Sequence, residues 1–272
     1  MAEQFAWLNG ALCPVDRAFI NPADRGFTLG DGIFETIRVA NGAPRHLSLH
    51  LARLCQGAGE LGLAVPLSGA QFHAAISALL AANAIQNAVL RITLTRGTGP
   101  RGLLPPANPT PALLITCAPF ITAAPDVSAI ICQSTRRNEF SPLSRIKSLN
   151  YLDNIIARRE AEARGAGDAI MLNTRGDAVA ASAANLFVLQ EGIWATPLVR
   201  DGALAGTLRA RLLARGLAHE TPLLPRQLLT AACVCLGNAL SVRMLTMLDG
   251  QSLQTNAAAA QALRAVLESP GS

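Results

Sequence analysis

The pattern of apolar and polar positions predicts helices and strands throughout the first part of the chain. Residues 34–39 and 89–96 alternate apolar and polar side chains with the period of two that is typical of half-buried strands. The Asn-Gly pair at 41–42 follows the first of these strands and favours a hairpin turn. Leucines and alanines recur at near-helical spacing over 46–61, and a second helix is predicted over 69–82.

The same kind of pattern predicts a second block of mixed elements after residue 126. The predicted helices cover 151–164, 206–214 and 227–232, and the predicted strands cover 127–131, 168–172, 185–189 and 192–196. Two prolines mark residues 118–126 as the linker between two α/β domains, at residues 1–117 and 127–272. The strict βαβ alternation, GxGxxG and P-loop of nucleotide-binding folds are absent, so we expect an α+β fold.

Composition narrows the classes of function. The 272 residues are 50% hydrophobic and 15% charged, as expected for a globular protein with a sizeable core. The formal charge is +5, but the arginines are scattered, which argues against a nucleic-acid partner. The six cysteines and four histidines lack metal-binding spacing, so we expect reduced thiols and no metal site. We see no signal peptide at the N-terminus and no membrane-spanning stretch, and we expect a cytoplasmic protein.

The most informative single residue is Lys147. The chain has 23 lysines and arginines in total, and Lys147 is the only lysine among them. Arginine replaces lysine as a cation, but a guanidinium does not lose its proton and cannot attack a carbonyl as a neutral amine. Lys147 is therefore a candidate Schiff-base former, although a lysine retained by chance on the surface would give the same count. The only tyrosine, Tyr151, lies four residues away and favours the catalytic interpretation.

Several ordered blocks of sequence resemble one enzyme family. These blocks are DRGFTLGDGIFETIRVANG, HLARL, RITLTRGTGPRG, SPLSRIKSLNYLDNIIARRE, NLFVL, ALAGTLR and LGNALSVRMLTMLDG. In order and spacing they resemble the fold-type IV enzymes that use pyridoxal 5'-phosphate (PLP). That family holds branched-chain aminotransferases, D-amino-acid aminotransferases and aminodeoxychorismate lyases. The resemblance implies their architecture of two α/β domains, a bound PLP and a homodimer.

The resemblance assigns roles to individual residues. Lys147 matches the lysine that forms the Schiff base with PLP and moves a proton between Cα and C4′, and Tyr151 matches a residue near the O3′ of the ring. Phosphate binding is assigned to five residues, namely Arg53, Gly206, Thr207, Asn238 and Ala239. From the residues alone, a cation on a helix surface is the favoured interpretation of Arg53. Thr207 could be only a helix cap, and 237–239 only a structural turn.

Two residues are candidates for contact with the substrate. Arg101 matches an arginine that binds a substrate carboxylate in D-amino-acid aminotransferases, where a guanidinium fixes the carboxylate through two hydrogen bonds. Those enzymes carry a histidine two residues later, but this chain has Leu103, which weakens the case for D-substrates. Phe34 lies where the family lines its active site, although a core position is the simpler interpretation.

One departure from the family pattern concerns the ring of the cofactor. Family members usually place a glutamate before the asparagine that matches Asn185, and it pairs with the pyridine nitrogen. Here the matching residue is Ala180, or Ala181 if the alignment shifts by one, so the carboxylate is missing. Without it PLP is a weaker electron sink. Another acid such as Asp177, or a water molecule, would have to serve the nitrogen.

Three functions follow from these observations. The leading hypothesis is a class IV aminotransferase that moves an amino group between a small amino acid and a 2-keto acid. The second is an aminodeoxychorismate lyase that releases pyruvate and 4-aminobenzoate for folate synthesis. The third is a PLP-binding protein with little turnover, because the glutamate at the ring nitrogen is missing.

Overall fold

The computed structural model describes residues 4–269. Residues 1–3 and 270–272, at the outer ends of the two predicted domains, lie outside the described residues. The helices are α1 (Arg25–Leu29), α2 (Leu47–Leu61), α3 (Gly69–Ala82), α4 (Leu152–Ala163), α5 (Thr207–Ala214), α6 (Pro225–Thr230) and α7 (Ala257–Glu268). The strands are β1 (Phe5–Leu8), β2 (Ala11–Pro14), β3 (Gly32–Ala40), β4 (Ala43–Pro44), β5 (Ala88–Thr95), β6 (Ala112–Pro119), β7 (Asp126–Ile131), β8 (Asp168–Leu172), β9 (Ala178–Ala181), β10 (Asn185–Gln190), β11 (Ile193–Thr196), β12 (Ala218–Glu220), β13 (Cys233–Gly237), β14 (Val242–Leu248) and β15 (Gln251–Ser252). This mixture of helices and sheets confirms the α+β class.

The first of two compact units comprises residues 4–121 and Ile146–Asn150. Its antiparallel sheet has the strand order β2-β1-β6-β5-β3-β4. The alternation that predicts β3 and β5 directs one set of aliphatic side chains toward α2 and α3, where they form the core. The Ser68 capping box begins α3 at the predicted residue, and the predicted extent of both helices is confirmed.

The second unit comprises residues 122–145 and 151–269. Its sheet has the order β12-β11-β10-β13-β14-β7-β8-β9, and β15 pairs with β14. The pairs β14–β7, β7–β8 and β11–β12 are parallel, and the others are antiparallel. Aliphatic side chains cover both faces, with α7 packed on β13 and β14 and α4 packed on β8. A strand that is buried on both faces loses the alternation of apolar and polar residues. For this reason periodicity does not predict β13 and β14.

The segment Ile146–Asn150 groups with the first unit, although the predicted boundary places it in the C-terminal domain. The amide of Phe34 donates a hydrogen bond to the carbonyl of Lys147 at 2.9 Å, and the amide of Leu149 donates to the carbonyl of Gly32 at 2.9 Å. The segment therefore adds to the start of β3, at the place where β4 does not reach. Position along the chain could not reveal this pairing, because it joins residues more than a hundred positions apart.

Helix α4 has a different buried face from the one that its apolar residues suggest. Leu152 and Ile155 are two of its large apolar residues, and they are 71% and 50% exposed. The buried face consists of Asn154, Ala157 and Ala161. Small side chains allow close packing of α4 on β8, so the larger apolar residues point away from the unit's own core.

Candidate active site

Lys147 lies against β3 in the first unit. The backbone pairing with Gly32 and Phe34 fixes its main chain, and its side chain is half-buried. The Nζ atom lies 4.1 Å from the centroid of the Phe34 ring, in the geometry of a cation–π contact. The pairing thus holds the only lysine side chain in one place, as a nucleophilic amine requires.

Arg91 is a neighbour of Lys147 and Phe34 that sequence reasoning missed. Its Cζ atom lies 4.0 Å from the centroid of the same Phe34 ring. Arg91 pairs with Thr36 in the β3–β5 ladder, which places it diagonally opposite Phe34 on one face of the sheet. The alternation of β5 could have shown that Arg91 points away from the core, but only the strand register places it beside Phe34. The arrangement puts two cationic groups around one aromatic ring, a setting suited to an anionic group.

The next residue of β3, Glu35, points to the opposite face and is fully buried. Arg53 on α2 donates to its two carboxylate oxygens from Nε at 2.8 Å and from Nη2 at 2.7 Å. His50 Nδ1 lies 2.7 Å from Glu35 Oε2. Burial raises the pKa of Glu35, but hydrogen bonds and charges from Arg53 and His50 outweigh it and hold that pKa at about 2. Glu35 is therefore ionised throughout the physiological range, and α2 is tied to β3 by a buried ion pair.

These contacts bear on the role predicted for Arg53. The helix-surface alternative does not describe its position, since the side chain is 11% exposed and bonded to a buried carboxylate. At least two of its guanidinium nitrogens donate hydrogen bonds to Glu35, so these contacts of Arg53 stabilise the fold. Binding of a phosphate by Arg53 stays a prediction.

Arg101 lies in an exposed loop of the first unit. Arg25 anchors this loop by donating to the carbonyls of Gly102 at 3.0 Å and Leu103 at 2.8 Å. The Arg101 side chain is exposed and makes no hydrogen bond or ion pair with any of residues 4–269. The contact of Arg101 with a substrate carboxylate stays a prediction. Phe34, the other residue predicted to contact the substrate, lies beside Lys147.

In the second unit, Gly206 and Thr207 form the start of α5. The amides of Thr207 and Leu208 donate to no partner within residues 4–269, and no side chain caps this helix. The predicted alternative role of Thr207 as the cap is therefore wrong, because Gly206 occupies that position. A Cβ atom at Gly206 would come within 1.9 Å of Asn185 Oδ1, and Asn185 is held by a hydrogen bond to the carbonyl of Leu204. A side chain at position 206 would clash with Asn185, so glycine is required there, and the amides that follow it can bind an anion.

The turn after β13 lies beside the same helix end. Gly237 pairs with Asn185, and a Cβ on Gly237 would come within 2.9 Å of the Leu208 side chain. The Asn238 side chain is used within the turn, accepting from the amides of Leu240 and Ser241 and donating to the carbonyl of Ala183. Asn238 thus has the structural function that sequence reasoning left open. The amide of Ala239 has no partner in the described part of the chain.

Tyr151 occupies the N-terminal cap position of α4. The buried guanidinium of Arg137 lies near it, held by hydrogen bonds to the carbonyls of Gly202 and Ser144. Burial lowers the pKa of Arg137, and the nearby Tyr151 and Asp153 oppose that shift. Sequence reasoning missed Arg137, which lies 14 positions from Tyr151 along the chain.

Ala180 lies in β9 opposite Met171 and is 8% exposed. The Asp177 side chain does not take the place of the missing carboxylate at this position. Its carboxylate accepts hydrogen bonds from Asn173 at 3.1 Å and Arg175 at 3.3 Å, inside the turn that precedes β9. The missing carboxylate is therefore not supplied by Asp177.

Among residues 4–269 no group of three or more histidine, cysteine, aspartate or glutamate side chains is placed to hold a metal ion. Over the same range, every helix is too short or too polar to cross a bilayer.

Comparison with known proteins gives a consistent family. The model of the amino-transferase class IV family matches residues 32–245. The D-alanine aminotransferase of Bacillus licheniformis is 29% identical over 261 residues, covering 92% of this chain and 90% of that protein. A crystal structure of the branched-chain aminotransferase from Thermoproteus uzoniensis with norvaline has a TM-score of 0.89 at 26% identity, covering 98% of this chain and 95% of that chain. The structure of 4-amino-4-deoxychorismate lyase from Pseudomonas aeruginosa has a TM-score of 0.83 at 30% identity, covering 95% and 96%.

These matches confirm the resemblance found in the sequence. They include both aminotransferases and a lyase, so they set the family and leave the reaction open. The family uses PLP, and structures of its members contain PLP-derived groups. The chain is an enzyme that belongs to the class IV aminotransferase family, whose members are PLP-dependent aminotransferases or closely related lyases.

Proposed function

We propose that this enzyme is an aminotransferase that moves an amino group between a small amino acid and a 2-keto acid. The observation that carries the proposal is the placement of the only lysine, Lys147, beside Phe34 and Arg91. In this proposal Lys147 forms the covalent link to PLP. Family membership supports it, because one lysine must carry that link and the chain offers a single one.

The donors of the second unit fit the phosphate of PLP. Unpartnered amides at the start of α5 and at Ala239 supply neutral hydrogen-bond donors. We assign the cofactor to a set of residues, namely Lys147, Arg53, Tyr151, Gly206, Thr207, Asn238 and Ala239, with Ala180 at the ring nitrogen. When bound, PLP supplies a ring that stabilises negative charge at the Cα of an amino-acid substrate.

The remaining chemistry falls to side chains of this chain. Lys147 Nζ would take up and return the proton of the substrate Cα. The Tyr151 phenol, with Arg137 beside it, would help to hold and orient the cofactor ring. Arg101, and Arg91 next to Phe34, bind the substrate carboxylate, since a guanidinium fixes a carboxylate through paired hydrogen bonds.

A lyase is the second candidate. The observation that favours it is the match to 4-amino-4-deoxychorismate lyase at 30% identity over 95% of the chain. This reaction would release pyruvate from aminodeoxychorismate and leave 4-aminobenzoate. The third candidate, a PLP-binding protein with little turnover, rests on Ala180 in place of the glutamate.

One experiment separates these three functions. The PLP-loaded protein is mixed with a panel of D- and L-amino acids, and its absorbance is followed. An aminotransferase will convert the cofactor's visible band to that of the pyridoxamine form with at least one donor. Absence of conversion across the panel, together with pyruvate release from aminodeoxychorismate without a keto acid, would identify the lyase. Failure in both assays by a protein that still binds PLP would identify the low-turnover protein.

We also propose a homodimer, as the family resemblance implies. The exposed apolar residues Leu152, Ile155 and Ile156 of α4 support it, because contiguous exposed apolar surface is typical of an interface. Light scattering will give a mass of about two chains of 28.4 kDa, and Ile155→Asp will shift it toward one chain. Ile121→Asp, at an isoleucine that is 84% exposed outside α4, is the matched control. A monomeric wild-type protein would overturn the proposal.

A further inference from the structure

Asn154 places a buried amide on the inner face of α4. The residue is 8% exposed, although asparagine is usually found at the surface. Its Nδ2 atom donates a hydrogen bond to the carbonyl of Ser182 at 2.7 Å and lies 3.9 Å from Met171 Sδ. These contacts hold the amide between α4 and the end of β9.

The partner of the amide nitrogen fixes the direction of the amide oxygen. A backbone carbonyl only accepts hydrogen bonds, so Nδ2 and not Oδ1 must face Ser182. Oδ1 therefore points to the other side, where it accepts no hydrogen bond from any of residues 4–269. Oδ1 is not fully buried, so it is accessible to solvent on that side, and a ligand that brings an N–H or O–H group can take the place of water there.

The open oxygen lies on the same face of the sheet as Ala180. Ala180 pairs directly with Met171, and side chains of directly paired residues share a face. Asn154 contacts the Met171 side chain on that face and the carbonyl of Ser182, two residues beyond Ala180. The amide is thus next to the position where the family usually has its glutamate.

Nearby acids are committed to other partners. Asp168 accepts hydrogen bonds at Oδ1 from the amide and hydroxyl of Ser182, at 3.1 and 2.6 Å, and pairs through Oδ2 with Arg243. Asp177 is held in its own turn by Asn173 and Arg175. Asn154 therefore offers the acceptor that these carboxylates do not.

We propose that Asn154 Oδ1 accepts a hydrogen bond from the protonated pyridine nitrogen of PLP, in place of the missing carboxylate. The proposal rests on the proposed function, which puts PLP against Ala180. A carbonyl oxygen only accepts, so it selects the form of the ring that carries a proton on nitrogen. A neutral acceptor stabilises that cation less than a carboxylate does, so the ring is protonated but is a weaker electron sink.

The test measures the protonation of the ring nitrogen by ¹⁵N NMR in holoprotein loaded with ¹⁵N-labelled PLP. The signal is recorded against pH for the wild type, Asn154→Ala, Ala180→Glu and the double variant. In the wild type the nitrogen will be protonated at neutral pH. Asn154→Ala will lower the ratio of protonated to unprotonated nitrogen about tenfold at fixed pH, the effect expected for one hydrogen bond.

The double variant separates a direct role from a structural one. In the Ala180→Glu background the new carboxylate will serve the nitrogen, so Asn154→Ala will change the signal little. A loss of protonation caused only by distortion of α4 would persist in both backgrounds and overturn the proposal. An identical titration of wild type and Asn154→Ala would also overturn it. Asp153→Asn, an exposed neighbour on α4, is the control for a change of charge on the helix.

Failure of the proposed function has a different signature. If the wild type binds no PLP, it will show no visible absorbance and no labelled signal in any variant. If it binds PLP but fails every donor assay, the ¹⁵N titrations still report on Asn154. The cofactor site and the partner of its nitrogen are thus tested separately.

Discussion

Replacing Lys147 by alanine will remove every bond between a lysine side chain and PLP that borohydride can trap. Transamination will fall by at least about a thousandfold, because the proposed proton carrier is lost together with the proposed covalent link. Reduction with borohydride followed by mass spectrometry of the intact protein measures the link, and stopped-flow absorbance measures the reaction. No second lysine is present to take over.

Lys147→Arg is the matched control for charge. It keeps a long cationic side chain beside Phe34 but lacks an amine that can lose its proton. We expect it to fold like the wild type, with little change in the midpoint of thermal unfolding, and to be as inactive as Lys147→Ala. Trapping of PLP on the alanine variant at the wild-type level would show that another group forms the link.

The second large effect is on stability. Arg53→Ala will lower the free energy of unfolding by about 3–5 kcal/mol, the range seen when one partner of a buried ion pair is removed. The cause is Glu35, which is fully buried and would lose both hydrogen bonds from the guanidinium. Urea unfolding of the apoprotein measures this effect separately from any loss of PLP affinity.

A second substitution tests the cause. Glu35→Gln removes the buried charge, so adding it to Arg53→Ala will recover part of the lost stability. If the double variant is no more stable than Arg53→Ala, the ion pair is not the source of the effect. The pH dependence gives an independent test, because the pKa of Glu35 is about 2 in the folded protein and its ordinary value is 4.5. The stabilisation is present above about pH 4.5 and is lost as pH falls toward 2.

Asn154 gives the missing glutamate a different meaning. The sequence shows only that a carboxylate is absent at Ala180. The structure adds an amide oxygen on the same face, with its direction fixed by Ser182. With Asn154 as its partner, the pyridine nitrogen of PLP would stay protonated, but the ring would be a weaker electron sink. This would affect the rate of transamination more than the affinity for the cofactor.

The local elements were predictable because their signals are local. The helical periodicity of α2 and the capping box of α3 fix helices within single stretches of chain, and both have the predicted extent. By contrast, the segment Ile146–Asn150 joins the first unit through backbone hydrogen bonds to β3. Such pairing depends on residues far apart in sequence, so a boundary drawn from composition placed it in the other domain.

The candidate site divides in the same way. Its chemistry was evident from residue types: one amine, at Lys147, and an alanine where a carboxylate is usual. The sequence alone therefore determined the family and the departure at Ala180, and it predicted the nucleophile. It gave no sign of Arg91, because the link to Phe34 arises from the register of β3 with β5.

Tertiary structure decided the rest. It turned the large apolar residues of α4 outward and the amide of Asn154 inward, because the close packing of α4 on β8 admits only small or specifically bonded side chains. It also directed Arg53 to Glu35. The identity of a reactive group belongs to the residue itself. Which neighbour tunes it depends on strand register and helix packing, which bring together residues that are distant in the chain.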